Sequence, residues 1–352
     1  MSLDVGLSPT SSNEVSDERS IAARVSAMLQ QRPWIAVGVV IAKRVGAGIA
    51  LLFTVLTLAF FAAALLPGDP VSAVLGRSAS PERIAAIRES LGLNQPLLER
   101  YWNWLTGVLS GDFGKSLVSQ ESVTSILAPR ISNSLILAGC ALLLLVPAAL
   151  VLGAYAGASP GSRVDRIIST STLGFLSMPE FTLGALLAYL IGVQSNGVIP
   201  AISVFPANGS PLADPRVLVL PVLTMVLVNM GYALRIVRAG VAEAMSSEYV
   251  KMARLNGVKE RDIVFKYALR NSLAPCIQSI SFILVYLVGG VVLVETVFQY
   301  PGIGLMAVNA TLQRDFPVIL GVTALIAAVY IVVNTLNDAL IVLVTPRRWG
   351  QR

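Results

Sequence analysis

The 352-residue chain is 55% hydrophobic and 13% charged, against about 25% charged residues in an ordinary soluble domain, so most of it must be solvated by lipid or by other apolar helices. It contains no histidine, which excludes His-based triads, His zinc sites and His-ligated haem. Its two cysteines, Cys140 and Cys276, lie in apolar runs and supply neither a disulfide framework nor a Cys-rich metal site, and the net charge of +6 reads as a Lys/Arg excess on a cytoplasmic face, not as a nucleic-acid footprint.

Residues 1–33 are polar and Ser-rich, lack the layout of a cleavable signal, and are expected to form a disordered cytoplasmic extension. Residues 34–44 contain the apolar run Trp34–Ala42, too short to cross a bilayer and expected to lie along the interface. Six stretches are long enough to span: Val45–Leu66, Leu135–Gly157, Ile167–Gly192, Val217–Leu234, Cys276–Val294 and Val318–Val344. Each should be a helix, because backbone polar groups in lipid are satisfied only in helices or closed barrels, and none of the runs shows the two-residue alternation of a barrel. The expected fold is all-α, with spans two to six over 135–344.

With the N-terminus inside, eighteen of the 26 Lys and Arg residues fall on the inner side, so both termini are expected in the cytoplasm, including the tail 345–352. The outer loop 67–134 should carry short helices; Ser80-Pro81-Glu82 followed by Ile84, Ile87 and Leu91 reads as a capped amphipathic helix ending at Gly92. Gly114-Lys115-Ser116 in that loop matches the end of a phosphate loop, but Leu109 stands where the pattern needs its first glycine.

The inner segment 239–274 is strongly basic and holds an Asn256-Gly257 break between two helix-like halves. Gly257 permits a left-handed turn, and Met252, Leu255, Val258, Ile263 and Val264 supply apolar knobs among cations. Such a helix-turn-helix suits docking into the groove of a cytoplasmic partner; the plain alternative is a solvated loop with inside-positive charge.

Membrane-embedded polar groups are the other candidates. Met178-Pro179-Glu180 interrupts the third span, where Pro179 removes a donor. Glu180 either faces a cavity or partner, or satisfies the freed backbone. Asn229 is a candidate for the same path, although it reads equally with Gln278, Asn334 and Asn337 as interhelical glue. Asp338 is expected to pair with an inner arginine. Glu295, taken as the end of the fifth span, with Pro301 and Gly302, is a candidate outer gate or a plain helix end and turn.

Several motifs occur in a characteristic order: Leu65-Leu66-Pro67-Gly68-Asp69-Pro70, Leu91-Gly92-Leu93-Asn94-Gln95-Pro96, Gly111-Asp112-Phe113-Gly114-Lys115-Ser116, Ser177-Met178-Pro179-Glu180-Phe181, the inner segment from Glu248 to Pro275, Glu295-Thr296-Val297-Phe298 with Pro301-Gly302-Ile303-Gly304, and Arg314-Asp315-Phe316-Pro317. Together, from about Lys43 to Trp349, they resemble the permease subunits of ATP-binding-cassette importers in the dipeptide/oligopeptide branch, and the long first outer loop resembles the B-type subunit. The resemblance implies a six-span type I importer permease in the bacterial cytoplasmic membrane. Its expected partners are a paralogous C-type permease, two ABC ATPase subunits carrying ATP and Mg, and an extracytoplasmic substrate-binding protein. No cofactor or metal is expected on this chain, which would not itself be an enzyme.

Carried over, Ala253 and Gly257 sit at the heart of an ATPase-coupling helix, and Lys251, Met252, Arg254, Leu255, Asn256 and Val258 line the ATPase contact. Lys251 and Met252 replace an acid and an alanine of the broad importer pattern, Lys259 stands where a capping Ser is common, and Thr345-Pro346-Arg347 replaces Asp-Pro-Arg. The transported solute is expected to be a peptide, with nickel chelates, glutathione or opines as alternatives. A secondary transporter acting alone would show paired halves with similar broken helices, and no internal repeat is evident. A Ser-Lys membrane enzyme would need an intramembrane lysine, which the spans lack.

Overall fold

Pro33 opens the first helix of the computed structural model, which describes residues 33–65, 82, 85, 88, 89, 94–206, 209–272 and 291–344. The extension 1–32, the tail 345–352, most of the expected helix at 80–92 and most of the expected span Cys276–Val294 lie outside the described residues. Helix α1 runs Pro33–Leu65 without a break. Residues 34–44 are therefore helical and continuous with the first expected span: no proline or cap stands between Trp34 and Val45, and proline is tolerated at the first helical position.

Helix α2 (Leu97–Leu109) is a short helix within the expected loop 67–134, at a place no sequence motif singles out. It is amphipathic, and its Tyr101 and Leu105 are buried against Leu56 and Phe60 of α1. The Tyr101 hydroxyl lies 2.7 Å from the Thr57 hydroxyl. A tight turn follows, with Gly111 and Gly114 at φ of 83° and 82° and an antiparallel bridge between Lys115 and Ser122. These left-handed positions explain the glycines of the 111–116 motif.

Helix α3 covers Val123–Ala158, so it begins well before the expected second span at Leu135. The extra turns form because Val123 and Leu127 pack against Val318 and Val322 near the start of the last helix. The third expected span is two helices, α4 (Arg163–Leu176) and α5 (Glu180–Leu187, continued by a π turn Ala188–Val193), meeting at 103°. Helix α6 (Arg216–Met245) is the most enclosed and continues past Leu234, so residues 239–245 belong to it and not to the inner loop.

Helix α7 (Glu248–Leu255) is followed by a short turn of helix, α8 (Glu260–Asp262), and a π turn Ile263–Ala268. Helices α9 (Val291–Phe298) and α10 (Ile303–Leu312) meet at 74°, and α11 covers Phe316–Val344. Helices α1, α3, α6 and α11 are long and apolar enough to cross a membrane, and six crossings result if each bent pair is one span.

The core centres on α6. Its Leu220, Met225 and Leu234 are buried with Leu137 and Leu145 of α3 and with Phe298 and Tyr300. Along the α3–α6 seam small residues permit close approach: a Cβ on Gly153 would lie 2.7 Å from the Val237 Cβ, and one on Gly157 would lie 2.6 Å from the Arg238 carbonyl oxygen. Helix α1 packs on α11, with Gly48 beneath Ile331 and Arg44 paired to Asp338 at 2.8 Å, the kind of pairing expected for Asp338.

Candidate functional site

Helix α7 ends in a Schellman motif. The Gly257 N–H donates to the Arg254 carbonyl at 3.0 Å and the Val258 N–H to the Ala253 carbonyl at 3.1 Å, with Gly257 at φ 76°. This is the left-handed turn expected between the two halves. One side of the resulting helix-turn-helix forms its own core: Val250, Ala253, Ile263, Val264 and Ala268 pack on Ala154, Val237, Val241 and Met245. The Tyr155 and Phe265 rings meet edge to face at 5.5 Å. Ile263 and Val264 thus point inward and are not outward knobs; a segment with so few apolar residues needs them to hold it to α3 and α6.

The other side faces outward. Met252 and Leu255 are 57% and 80% exposed, and Lys251, Arg254 and Asn256 are exposed beside them. Two local ion pairs set the charges, Lys251–Glu248 at 2.7 Å and Arg254–Glu260 at 2.6 Å. The Arg254 guanidinium hydrogen-bonds Glu260 and holds its carboxyl below the usual carboxylate range. Lys259 occupies the N-cap of α8 without a side-chain cap bond, as its replacement of a capping Ser implies. Among Lys251, Met252, Ala253, Arg254, Leu255, Asn256, Gly257 and Val258, only Ala253 is buried.

At the break of the third span, Met178 and Pro179 are exposed while Glu180, the first residue of α5, is 7% exposed with Oε1 lacking a hydrogen-bond partner. Pro179 carries no N–H and disfavours helical backbone at Met178, which ends α4. Asn229 is also buried, but its amide donates to the Met225 carbonyl of its own helix at 2.8 Å, so that bond joins no second helix. Asn334 does the same to Tyr330 at 2.9 Å. Gln278 lies outside the described residues.

The expected outer-gate residues come together in a packed turn. Helix α9 runs one turn beyond Glu295, whose fully buried carboxylate accepts the Gly304 and Leu305 N–H groups at 2.6 and 3.1 Å and the Ser134 hydroxyl at 2.5 Å. It caps α10, where aligned N–H groups favour an anion. The Ser134 oxygen accepts in turn from the Ile303 N–H at 2.9 Å. The Pro301 carbonyl accepts from the Asn133 amide at 3.0 Å, and the Tyr300 hydroxyl donates to the Asn133 carbonyl at 2.8 Å. Gly302 has no room for a side chain: a Cβ would fall 2.0 Å from Glu295 Oε1.

Two polar clusters escaped the sequence reading. Asp315 accepts from the Ser116 hydroxyl and the Leu117 N–H, joining the 111–122 turn to the start of α11. Asp165 is 4% exposed and takes a two-pronged contact from Arg238. An acid close to the ordered inner end of α4 was the available signal, but nothing local names its partner 73 residues away.

The described residues thus form a helical chain with two bent helix pairs, an enclosed central helix α6 and a helix-turn-helix that packs on α3 and α6 while exposing Met252 and Leu255 beside Lys251 and Arg254. The chain matches the family described as "Binding-protein-dependent transport system inner membrane component" over residues 149–350, and the corresponding N-terminal family over residues 38–138. It belongs to that family and is an inner-membrane permease of the ABC importer type. It is 33% identical over 317 residues to a "Probable peptide ABC transporter permease protein" of Sinorhizobium fredii, covering 88% of this chain and 99% of that one. It is 33% identical over 305 residues to a glutathione transport system permease protein of Pectobacterium atrosepticum, covering 86% and 96%.

Proposed function

We propose that this chain is the B-type member of a pair of paralogous permeases that together form the pore of an importer for dipeptides and oligopeptides, with both termini and the inner loop in the cytoplasm. Two ATPase subunits bind ATP and Mg and dock on the inner face, while an extracytoplasmic binding protein delivers substrate. This chain holds no nucleotide, cofactor or metal and performs no bond chemistry. The observation that carries the reading is the helix Glu248–Leu255, which turns Met252 and Leu255 outward among cations while Val250 and Ala253 anchor it. Exposed large apolar side chains on a rigid basic helix fit the groove of a partner.

The mechanism is alternating access. ATP closes the paired ATPases, the docked helix moves with them, and the pore opens outward; hydrolysis resets it inward. Met178, Pro179 and Glu180 are assigned to the substrate path, because non-helical backbone at membrane depth is tolerated only where it lines a cavity or is covered by protein. The Glu180 carboxylate suits the ammonium group of a peptide amino terminus. Asn229 of α6, buried and bonded to the Met225 carbonyl, is the other candidate for that path. Glu295, Pro301 and Gly302 brace the outer turn at which the pore closes. The relatives support the peptide class by their printed names, and glutathione is itself a short peptide; uptake assays with a dipeptide and with glutathione separate the two solutes.

Gly257→Pro tests the coupling assignment. Proline cannot adopt the positive φ and removes the N–H that closes the turn on Arg254. The variant is expected to reach the membrane with transport-linked ATPase activity abolished. Normal substrate-stimulated turnover in proteoliposomes would overturn the assignment.

A further inference from the structure

We propose that the Asp165–Arg238 pair is a positioning element that passes movement of the inner loop to the broken third span; this rests on the reading of 248–258 as the ATPase contact. Arg238 Nε and Nη2 reach Asp165 Oδ1 and Oδ2 at 2.5 and 2.8 Å. The same carboxylate accepts the Gly161 N–H at 2.7 Å and the Ser169 hydroxyl at 3.1 Å, so it is tied to the turn before α4 and to the next turn of α4 itself. The Ser162 hydroxyl accepts the Asp165 N–H and caps α4. A planar guanidinium meeting both oxygens fixes direction as well as distance.

The pair stands between two rigid parts. On one side, α6 leads into α7 and packs with it: Val237 and Val241 bracket Arg238 in sequence and lie in the cluster that holds Val250, Ala253 and Ile263. Gly240 lies against Ser272 at the far end of the loop, where a Cβ would meet the serine Cβ at 2.9 Å. The loop and the inner half of α6 therefore move as one body. On the other side, α4 runs from Asp165 to the break at Ser177–Pro179, where its direction turns by 103°. Near that end a Cβ on Gly231 of α6 would lie 2.8 Å from the Thr172 carbonyl oxygen and 3.0 Å from the Leu176 Cβ, so the two helices are in close van der Waals contact there. Such contacts fix distance more than direction; the two-pronged ion pair fixes both, and it is the contact that forces α4 to follow α6 when the loop is displaced. Movement is then delivered to Met178 and Glu180 at the break.

The test uses the assembled transporter, with both permeases and the ATPases, in which Cys140 and Cys276 are replaced by serine and Met178→Cys is the reporter. Its labelling by a maleimide is compared without nucleotide and after trapping with ATP and vanadate. With the native pair, trapping is expected to change the labelling rate by about fivefold or more, within the range of coupling between sites. Arg238→Gln is the gentler variant, since Arg238 is a third exposed and Asp165 keeps its other partners; trapping should still occur, but the labelling rate should no longer depend on it. Asp165→Asn should behave alike, and the double variant should be no worse than either single one. A nucleotide-dependent change retained in Arg238→Gln, or absent with the native pair, overturns the proposal. Gly257→Pro in the same background separates the two readings. If it loses the response while Arg238→Gln keeps it, only the ion-pair proposal fails; if it keeps the response, the coupling-loop reading fails.

Discussion

At the scale of single residues, the buried acids divide by what they hold. Glu295 receives one hydroxyl and two backbone N–H groups. Glu295→Ala would leave these buried donors unsatisfied at about 1–3 kcal/mol each, so the thermal midpoint of the detergent-solubilised complex should fall sharply, while Glu295→Gln, which keeps an acceptor oxygen, should lower it less. Equal midpoints for Ala and wild type would remove Glu295 as the brace of the outer turn. Intramembrane acids were legible in the sequence because charge is costly there. The partner of Glu295 was not, for Ser134 lies 161 residues away; Asp165, just ahead of the expected third span, was not legible at all, and its partner lies 73 residues on. Side-chain chemistry marks a group in need of a partner without saying which distant helix brings it.

Element by element, apolar length located α1, α3, α6 and α11 and the bent pair α4–α5, and Pro179 and Gly257 marked a break and a turn. Extents were less legible. Helix α3 reaches back to Val123, and α6 runs on to Met245, because tertiary packing extends helices through polar residues whose propensity alone is neutral. Short helices are expected somewhere in 67–134, but the place of α2 was not legible, since Leu97, Tyr101, Trp104, Leu105 and Val108 make a face too short to stand out beside the spans. The α3–α6 seam gives a contrast within one helix. Gly157→Leu places atoms against the Arg238 carbonyl and Val241, and overpacking of about 1–3 kcal/mol or more should reduce membrane accumulation. Gly139→Ala, which meets nothing within 4 Å, should be neutral or stabilising by up to about 1 kcal/mol. Quantitative blotting of membranes checks both, and equal loss in the two variants would mean that the seam is not close-packed.

For the whole molecule, the basic residues predict sidedness. With Cys140 and Cys276 replaced by serine, an impermeant maleimide should label Ser119→Cys from outside in intact cells, and Arg166→Cys only after the membrane is opened; both positions are exposed. Labelling of Arg166→Cys in intact cells would reverse the orientation. Among the described residues, the long apolar helices were legible because hydropathy is local. The path of the third span was not, since a 103° bend within one apolar run leaves hydropathy unchanged.

The Asp315 contact bears on how the chain is made. Ser116 and Leu117 find their acceptor about 200 residues later in synthesis, and α1 finds in α11 its packing partner and the acid for Arg44. Helix α1 in the bilayer and the turn outside it must therefore wait, incompletely satisfied, until α11 emerges from the ribosome. A nascent chain stalled before Asp315 should be open to membrane proteases at the 111–122 turn, and release of α11 should close that window.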